Sequence, residues 1–311
     1  MVLYLKSTEQ FTGPYMALKK IPKGTLIIIG GAEDKGSSEQ PDIIDKNADF
    51  KDEEILKRLL PEGRSKRAIE IITTASEEPD EISVRYRKAF HDLGFKNVGF
   101  INMGDNFDAA NPLFVKRIEK AHAVLFSGGD QFRLATIMGN TDVFNAILKR
   151  YTEDSSFIVA GTSAGAMAAG TLMICEGENN EAILKGTLKM TSGLGFINGC
   201  IIDTHFIKRG RFGRLTQAVV MNPTCVGIGL GEDTALVIEK GRVATCIGSG
   251  MTVIIDGQTI GHTNMPYAEE GQAVCVEKMN VHILCEGTSY ELEKREFKPS
   301  KKDLKLQKKM T

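Results

Sequence analysis

The stretch from residue 157 to residue 169 constrains the fold of this chain more than any other. An apolar run of strand length leads into Gly161-Thr162-Ser163-Ala164-Gly165, and the run rich in Ala and Met that follows favours helix. A Gly-x-Ser-x-Gly turn between a strand and a helix is the context of a nucleophile elbow. Gly161 and Gly165 lack the side chains that would clash where strand and helix pack closely. The flanking pattern therefore favours Ser163 as an exposed nucleophile over a tight structural turn.

The same turn predicts where a developing oxyanion would be stabilised. The N–H of Ala164 comes at the start of the new helix and would point towards that oxyanion. A second donor is expected from a glycine loop at a neighbouring strand end, and Gly128-Gly129-Asp130 offers the N–H groups of Gly129 and Asp130. The alternative is a Gly-Gly turn before a helix capped by Asp130, and both interpretations can hold together.

The first half of the chain alternates short buried strands with helices. The predicted strands are Thr25–Ile29, Ala68–Thr73, Lys96–Ile101, Ala123–Phe126 and Phe157–Ala160. The predicted helices are Asp49–Leu60, Pro79–Leu93, Pro112–Ala121, Gln131–Met138 and Asp142–Tyr151. This alternation predicts an α/β fold with a mostly parallel sheet and helices on both faces. A site then belongs at the carboxyl ends of the strands, where the loops after Ile29, Phe126 and Ala160 would share one rim.

The second half of the chain has a different pattern of predicted elements. We expect a strand over Ile201–Asp203, a helix over Arg209–Met221 and a strand over Val226–Leu230. Short β runs separated by glycine-containing turns, from about residue 234 to residue 292, then predict a C-terminal antiparallel β extension. We therefore expect a single α/β domain over residues 1–293, with an irregular lead-in over residues 1–24. Residues 294–311 carry eight Lys and Arg, which predicts a basic, disordered tail.

Composition excludes several classes of partner and cofactor. The formal net charge is −1, from 39 Lys and Arg against 40 Asp and Glu, so nothing favours nucleic acid or an anionic membrane. No apolar run approaches the ~20 residues of a membrane span. The six cysteines are scattered without a C-x-x-C pair, which predicts reduced thiols and a cytoplasmic protein. There is no H-E-x-x-H and no clustered Cys/His set, so neither a metal nor an organic cofactor is expected.

A serine hydroxyl needs a base to take its proton, and that base needs an orienting carboxylate. His205 differs from the other four histidines because it directly follows the predicted strand that ends at Asp203. Glu232, just after the strand that ends at Leu230, is the favoured orienting acid, with Asp233 as a competitor. An ordinary hairpin turn at Glu232 and Asp233 is equally compatible with the sequence.

Five ordered blocks of the chain resemble the signature blocks of the cyanophycinases. These are Ile29-Gly30-Gly31-Ala32-Glu33-Asp34, Ser127-Gly128-Gly129-Asp130-Gln131, Gly161-Thr162-Ser163-Ala164-Gly165-Ala166, Asp203-Thr204-His205-Phe206 with Arg209, Arg211, Arg214 and Leu215, and Gly231-Glu232-Asp233-Thr234-Ala235. Cyanophycinases belong to the serine peptidase family that also contains aspartyl dipeptidase. The resemblance implies a fold like the class I glutamine amidotransferase domain, which is flavodoxin-like, and a homodimer.

The resemblance also implies roles for individual residues. It implies Ser163 as nucleophile, His205 as base and Glu232 as third member of a triad. It further implies that the substrate site is lined by Gln131, Asp203, Arg209, Arg211 and Arg214. The order Ser, His, Glu along the chain differs from that of the α/β-hydrolases, which argues against an esterase of that fold.

The arginines, together with one position that departs from the family pattern, bear on the expected substrate. Guanidinium groups bind carboxylates through two parallel hydrogen bonds, and a β-linked Asp-Arg unit carries a carboxylate on its arginine. The guanidinium of that unit would need an acid such as Asp130 or Glu33. The family usually has Gln where this chain has Thr204, and the shorter hydroxyl cannot reach what an amide reaches.

The resemblance therefore implies a serine exopeptidase that hydrolyses multi-L-arginyl-poly-L-aspartate to β-aspartyl-arginine dipeptides through an acyl-enzyme. One alternative is an aspartyl dipeptidase-like enzyme that acts on small Asp-containing peptides. Another is a catalytically silent homologue that binds Asp- or Arg-containing peptides. The presence of all three candidate triad residues argues against the silent homologue.

Overall fold

The computed structural model describes residues 20–36, 51, 53–61, 63, 67–177 and 182–310. The strands are β1 (Thr25–Ile29), β2 (Ile69–Ile72), β3 (Val98–Ile101), β4 (Ala123–Phe126), β5 (Ile158–Thr162), β6 (Leu172–Gly177), β7 (Leu188–Ser192), β8 (Cys200–Asp203), β9 (Val226–Leu230), β10 (Thr234–Glu239), β11 (Val243–Gly248), β12 (Thr252–Asp256), β13 (His262–Thr263), β14 (Val276–Glu277), β15 (Asn280–Leu284), β16 (Ser289–Glu291) and β17 (Glu296–Lys298). The helices are α1 (Glu54–Lys57), α2 (Pro79–Asp92), α3 (Pro112–Lys120), α4 (Gln131–Met138), α5 (Asp142–Glu153), α6 (Ala164–Met167), α7 (Phe212–Met221) and α8 (Lys301–Met310). The predicted lead-in up to residue 19, and residues 49, 50 and 52 of the first predicted helix, lie outside the described residues.

The main sheet has nine strands in the order β17-β16-β11-β10-β1-β5-β4-β2-β3. Strands β1, β5, β4, β2 and β3 are parallel to one another. Strands β10, β11, β16 and β17 continue the sheet on the other side of β1 in antiparallel fashion. The predicted parallel sheet and antiparallel β extension are confirmed. Strands β10, β11 and β16 of the extension share one continuous sheet with the parallel strands, whereas β12 and β15 belong to a second sheet.

Helices cover both faces of the parallel part, as the sequence predicts. Side chains alternate across a strand, so Leu26 and Ile28 of β1 pack on the face that carries α3, α4, α5 and α6. Ile27 and Ile29 pack on the opposite face with α1 and α2. Strands that are buried on both faces read as continuous apolar runs, which is why the sequence revealed them.

A second sheet carries the strands that follow the elbow. Its order is β15-β12-β9-β8, with β8 and β9 parallel and the other pairs antiparallel. Helix α7 packs on one of its faces through Leu215 and Val219, and the other face joins the main core through Ile202 and Ile228. The sequence did not indicate that β8 and β9 belong to a separate sheet, because strand pairing is not encoded in local periodicity.

The helix predicted to begin at Arg209 begins instead at Phe212. Gly210 has a φ of +61°, and the N–H of Arg211 donates to the carbonyl oxygen of Phe206. A residue in the left-handed region interrupts helical hydrogen bonding, so the chain turns here before α7 starts. The hairpin of β6 and β7 was not predicted at all.

The prediction of a disordered tail after residue 293 is wrong. Strand β17 pairs with β16, and α8 follows it. The guanidinium of Arg295 donates to the carboxylate of Asp256 and to the carbonyl oxygen of Thr224. The side chains of Asp256 and Arg295 are only 3% and 11% exposed. The charge count did not reveal that one of the basic residues is the counter-ion of a buried acid.

Within the described part of the chain, no helix has both the length and the apolar composition that spanning a bilayer requires.

The buried ion pair leads to a prediction about stability. Replacing Arg295 by Met leaves the Asp256 carboxylate buried without its counter-ion, so we expect the free energy of unfolding to fall by about 3–5 kcal/mol. Replacing the exposed neighbour Lys294 by Met should change it by less than about 0.5 kcal/mol. Denaturant-induced unfolding of the two variants measures the difference. Equal stabilities would contradict an anchoring role of Arg295.

Candidate active site

Ser163 occupies the sharp turn between β5 and α6 that the sequence predicts. Its backbone has φ 51° and ψ −114°, a conformation that costs about 1–3 kcal/mol for a residue with a side chain. A Cβ atom at Gly161 would lie 2.4 Å from the backbone of Gly165, and one at Gly165 would lie 2.4 Å from the carbonyl oxygen of Phe126. Both glycines are therefore required by the close approach of strand and helix.

Three side chains form a continuous hydrogen-bonded relay. The Oγ of Ser163 lies 3.1 Å from Nε2 of His205, and Nδ1 of His205 lies 2.8 Å from Oε1 of Glu232. Ser163 follows a strand of the main sheet, whereas His205 and Glu232 follow β8 and β9 of the second sheet. The relay therefore forms where the carboxyl ends of strands from two sheets meet.

The end of β1 links the three loops of the relay. The carbonyl oxygens of Ile29, Gly30 and Gly31 accept hydrogen bonds from the N–H groups of Ser163 (3.0 Å), His205 (2.9 Å) and Asp233 (3.0 Å), respectively. A Cβ atom at Gly30 would lie 1.8 Å from the carbonyl oxygen of Gly231. The loop that the sequence predicted at an edge of the site thus holds, through its backbone carbonyls, the three loops that carry Ser163, His205 and Glu232.

The electrostatics of the site favour a neutral histidine beside an ionised carboxylate. Burial lowers the pKa of His205, and the charges of Arg209 and Arg211 lower it further, against the raising effect of Glu232. Burial alone would raise the pKa of Glu232, but hydrogen bonds from His205 and Lys208 and the positive charge of Lys208 lower it below its ordinary value. A neutral imidazole beside a serine hydroxyl can accept its proton.

The competing acid Asp233 has a different position. Its carboxylate accepts hydrogen bonds from the N–H of Asp34 (2.9 Å) and from the hydroxyl of Ser249 (2.5 Å). Burial raises the pKa of Asp233 in spite of these bonds. Asp233 therefore ties loops together, and Glu232 is the acid that contacts His205.

The three predicted oxyanion donors divide into two groups. Within the described residues, the N–H groups of Ala164 and Gly129 have no hydrogen-bond acceptor. Gly128 lies against Ser163, since a Cβ added to it would be 3.4 Å from the serine Cβ. The N–H of Asp130 instead donates to the carbonyl oxygen of Ala75 at 2.9 Å. The prediction of Asp130 as an oxyanion donor is therefore wrong. Its carboxylate caps α4, as the alternative interpretation held.

Asp203 does not line the substrate site as the resemblance implied. Its side chain is fully buried and accepts hydrogen bonds from Arg211 (3.0 Å) and from two nitrogens of Arg214 (2.6 Å each). The Arg214 side chain is only 7% exposed, so it too lies behind the surface that a substrate could reach. Both predictions of substrate contact are corrected, because Asp203 and Arg214 neutralise each other inside the protein.

The remaining predicted substrate residues differ in how many of their polar groups are available to bind a substrate. Arg209 is exposed and forms no ion pair with any described residue. Arg211 is half-buried, and its Nε is buried without a partner among the described residues. The amide nitrogen of Gln131 donates to the carbonyl oxygens of residues 174 and 175, which leaves only its oxygen for a ligand. Thr204 is fully buried, and its hydroxyl has no partner within the described part of the chain.

The buried carboxylate of Glu33 lies beneath the elbow. The sequence suggested Glu33 only as a partner for the guanidinium of the substrate. Glu33 is 4% exposed and accepts hydrogen bonds from the hydroxyls of Tyr86 and Thr162, with Lys35 at 2.9 Å. Burial alone would raise the pKa of Glu33, but the charge of Lys35 and these hydrogen bonds lower it. Glu33 therefore supports the residue before Ser163 and cannot pair with a substrate guanidinium.

Among the described residues, no group of three or more His, Cys, Asp or Glu is arranged to hold a metal ion. An elbow serine bonded to a neutral histidine, which is bonded to a carboxylate, is the arrangement of a serine-type hydrolase. The family model of peptidase family S51 matches residues 36–246, and the chain belongs to that family. The protein is thus a serine-type peptidase.

Individual relatives agree with the family assignment. The chain is 31% identical over 288 residues to the cyanophycinase of Synechococcus elongatus, covering 92% of this chain and 82% of that protein. It is 32% identical over 286 residues to the cyanophycinase of a Nostoc species, covering 92% of this chain and 91% of that protein. The crystal structure of a peptidase from an acI-B1 Actinobacterium has the same fold, with a TM-score of 0.60 and 23% identity over 88% of this chain and 98% of that chain.

The packing of Gly31 leads to a prediction about activity. A Cβ atom at Gly31 would lie 2.4 Å from Cε1 and Nε2 of His205, so Gly31→Ala must displace the imidazole. We expect kcat to fall by about 100-fold, the effect of misplacing a reacting group by about 1 Å.

Gly94 provides the matched control, because its φ is also positive (+78°) but an added Cβ would meet nothing within 4 Å. Gly94→Ala should share the cost of the left-handed backbone and keep wild-type kcat. Peptidase assays of both variants at equal folded concentration make the comparison. Undiminished kcat in Gly31→Ala would contradict the assigned role of the loop.

Proposed function

We propose that this peptidase is a cyanophycinase-type serine exopeptidase, which cleaves multi-L-arginyl-poly-L-aspartate into β-aspartyl-arginine dipeptides. The observation that carries the proposal is the relay of 3.1 Å and 2.8 Å between Ser163, His205 and Glu232. The similarity to proteins named cyanophycinase over 92% of the chain supports the choice of substrate. The homodimer and the cytoplasmic location that we expect remain predictions.

The proposed chemistry has two steps. The Oγ of Ser163 attacks the carbonyl carbon of an aspartyl peptide bond while Nε2 of His205 takes the hydroxyl proton. His205 then returns that proton to the leaving amine, which leaves an acyl-enzyme on the serine. Water, deprotonated by the same histidine, hydrolyses the ester and restores Ser163. Glu232 holds the imidazole in the required tautomer and stabilises the imidazolium.

The tetrahedral intermediates carry a negative oxygen that needs donors. We assign this role to the N–H groups of Ala164 and Gly129, because neither has an acceptor within the described residues. Ala164 directly follows Ser163, and Gly129 directly follows Gly128, which packs against Ser163. Removing one such donor typically costs about 10²–10³ in kcat.

Arg209 is the best candidate for the residue that binds the carboxylate of the substrate. It is exposed, it follows His205 closely, and its charge acts on that histidine. Arg211 lies at the same site with part of its guanidinium unpaired, so it is the second candidate. Arg214 is committed to Asp203 and serves the structure instead.

One observation favours the smaller-substrate alternative. Thr204 is fully buried, so the position at which the family usually has Gln offers no group to a substrate here. An aspartyl dipeptidase-like enzyme would need fewer contacts than an enzyme that binds a polymer.

The decisive experiment is incubation with insoluble cyanophycin and mass analysis of the soluble products, beside assays on α-aspartyl dipeptides. We expect β-aspartyl-arginine from the polymer, and at least about 10³-fold less of it from Ser163→Ala, because the triad acts as a unit. Thermal unfolding controls for the fold of the variant. Cleavage of the dipeptides alone would establish the alternative, and undiminished turnover by Ser163→Ala would exclude the mechanism.

A second prediction separates binding from structural arginines. Arg209→Lys keeps the charge but loses the planar fork. The variant should therefore lose about 1–3 kcal/mol of transition-state stabilisation, which lowers kcat/KM roughly 5–150-fold, with stability unchanged. Arg214→Lys breaks the paired hydrogen bonds to buried Asp203 and should lower the free energy of unfolding instead. Steady-state kinetics and chemical unfolding of both variants test this. The reverse pattern would mean that Arg209 does not bind substrate.

A further inference from the structure

Both oxygens of the Glu232 carboxylate are engaged. Oε1 binds the His205 ring at 2.8 Å, and Oε2 accepts a hydrogen bond from Nζ of Lys208 at 3.0 Å. The Glu232 side chain is 16% exposed, whereas that of Lys208 is 72% exposed. A mostly solvated lysine thus reaches from the surface onto the free oxygen of the acid in the relay.

An exposed ion pair contributes little to stability, so the contact matters through geometry and charge. The last torsion of a glutamate side chain has a broad energy profile, and a carboxylate held at one oxygen can rotate away from its partner. A donor on the second oxygen restricts that rotation. Lys208 is three residues beyond His205, so the same turn carries the histidine and the lysine that hold Glu232 from two sides.

The charged groups around His205 define what the lysine changes. Glu232 favours the imidazolium, whereas Arg209 and Arg211 on the histidine's own segment oppose it. On the other packed loops, the carboxylates of Asp233, Glu33 and Asp34 are engaged elsewhere, by Ser249, by Tyr86 and by backbone N–H groups. The positive charge of Lys208, bonded to Glu232, weakens the attraction of that carboxylate for an imidazolium.

We propose that Lys208 is a positioning residue, which orients Glu232 towards His205 and keeps the histidine neutral at a lower pH than it would otherwise be. This inference rests on the proposed function, since it assigns a role within the proposed relay. Freer rotation of Glu232 in the absence of the lysine should lower kcat. Because Oε1 still accepts the hydrogen bond from Nδ1 in most conformers, removal of the lysine charge should raise the pKa of His205, since the uncompensated carboxylate stabilises the imidazolium. The acid limb of the kcat/KM profile should then move to higher pH.

The test compares Lys208→Met, which removes the ammonium group, with Lys208→Arg, which retains a donor and a charge. Lys88→Met is the matched control, because Lys88 is 63% exposed and pairs with Asp92 at 2.7 Å on α2. For Lys208→Met we expect kcat about two- to fivefold lower and the acid limb higher by a few tenths of a pH unit. Lys208→Arg should restore both, and Lys88→Met should match the wild type.

Titration of His205 by NMR gives a readout that needs no substrate. A higher histidine pKa in Lys208→Met supports the proposal even if cyanophycin proves to be the wrong substrate. An unchanged or lowered pKa of His205 in Lys208→Met would overturn it. A rise in KM with an unchanged kcat and pH profile would also overturn it, because Lys208 would then bind the substrate directly.

Discussion

The site depends on three consecutive backbone carbonyls at the end of β1. Residues 29, 30 and 31 accept hydrogen bonds from the loops that carry Ser163, His205 and Asp233, the neighbour of Glu232. These bonds do not involve side chains, so they set the separation of the three arms whatever the substrate. The packing leaves no room for a Cβ at either glycine, since one would meet the Gly231 carbonyl and the other the His205 ring. The two sheets are thereby joined at the point where the relay forms.

This construction places strained backbone where the chemistry is proposed. Ala32, Ser163, His205 and Asp233 all have positive φ, at a cost of about 1–3 kcal/mol each. The surrounding cores supply the stability that holds them, because β1 and β5 are buried on both faces. Glu33 adds support directly under the elbow through its hydrogen bond from Thr162. A rigid frame of this kind presents the serine hydroxyl without requiring a rearrangement before attack.

Charge is partitioned between the interior and the surface of the site. Asp203 binds Arg211 and Arg214 inside the protein, where an unpaired charge would be costly, and leaves Arg209 to the solvent. The basic segment after His205 therefore has a structural part and an exposed part, which composition does not distinguish. Lys208 belongs to the exposed part but contacts the relay through Glu232. The local excess of positive charge suits a substrate that carries carboxylates.

The sequence by itself determined the elbow and the alternation of strands and helices, favoured His205 as the partner of Ser163, and left Glu232 and Asp233 as competing acids. These features depend on local signals: apolar runs, glycines at tight turns, and polar residues directly after strands. Only the tertiary structure decided that β8 and β9 form a second sheet, that Arg295 anchors the C-terminal segment, and that the Asp130 N–H is already bonded. It also decided which of the arginines are buried. Such facts arise from contacts between residues far apart in the chain, and residue type and spacing do not encode which distant groups will meet in the folded interior.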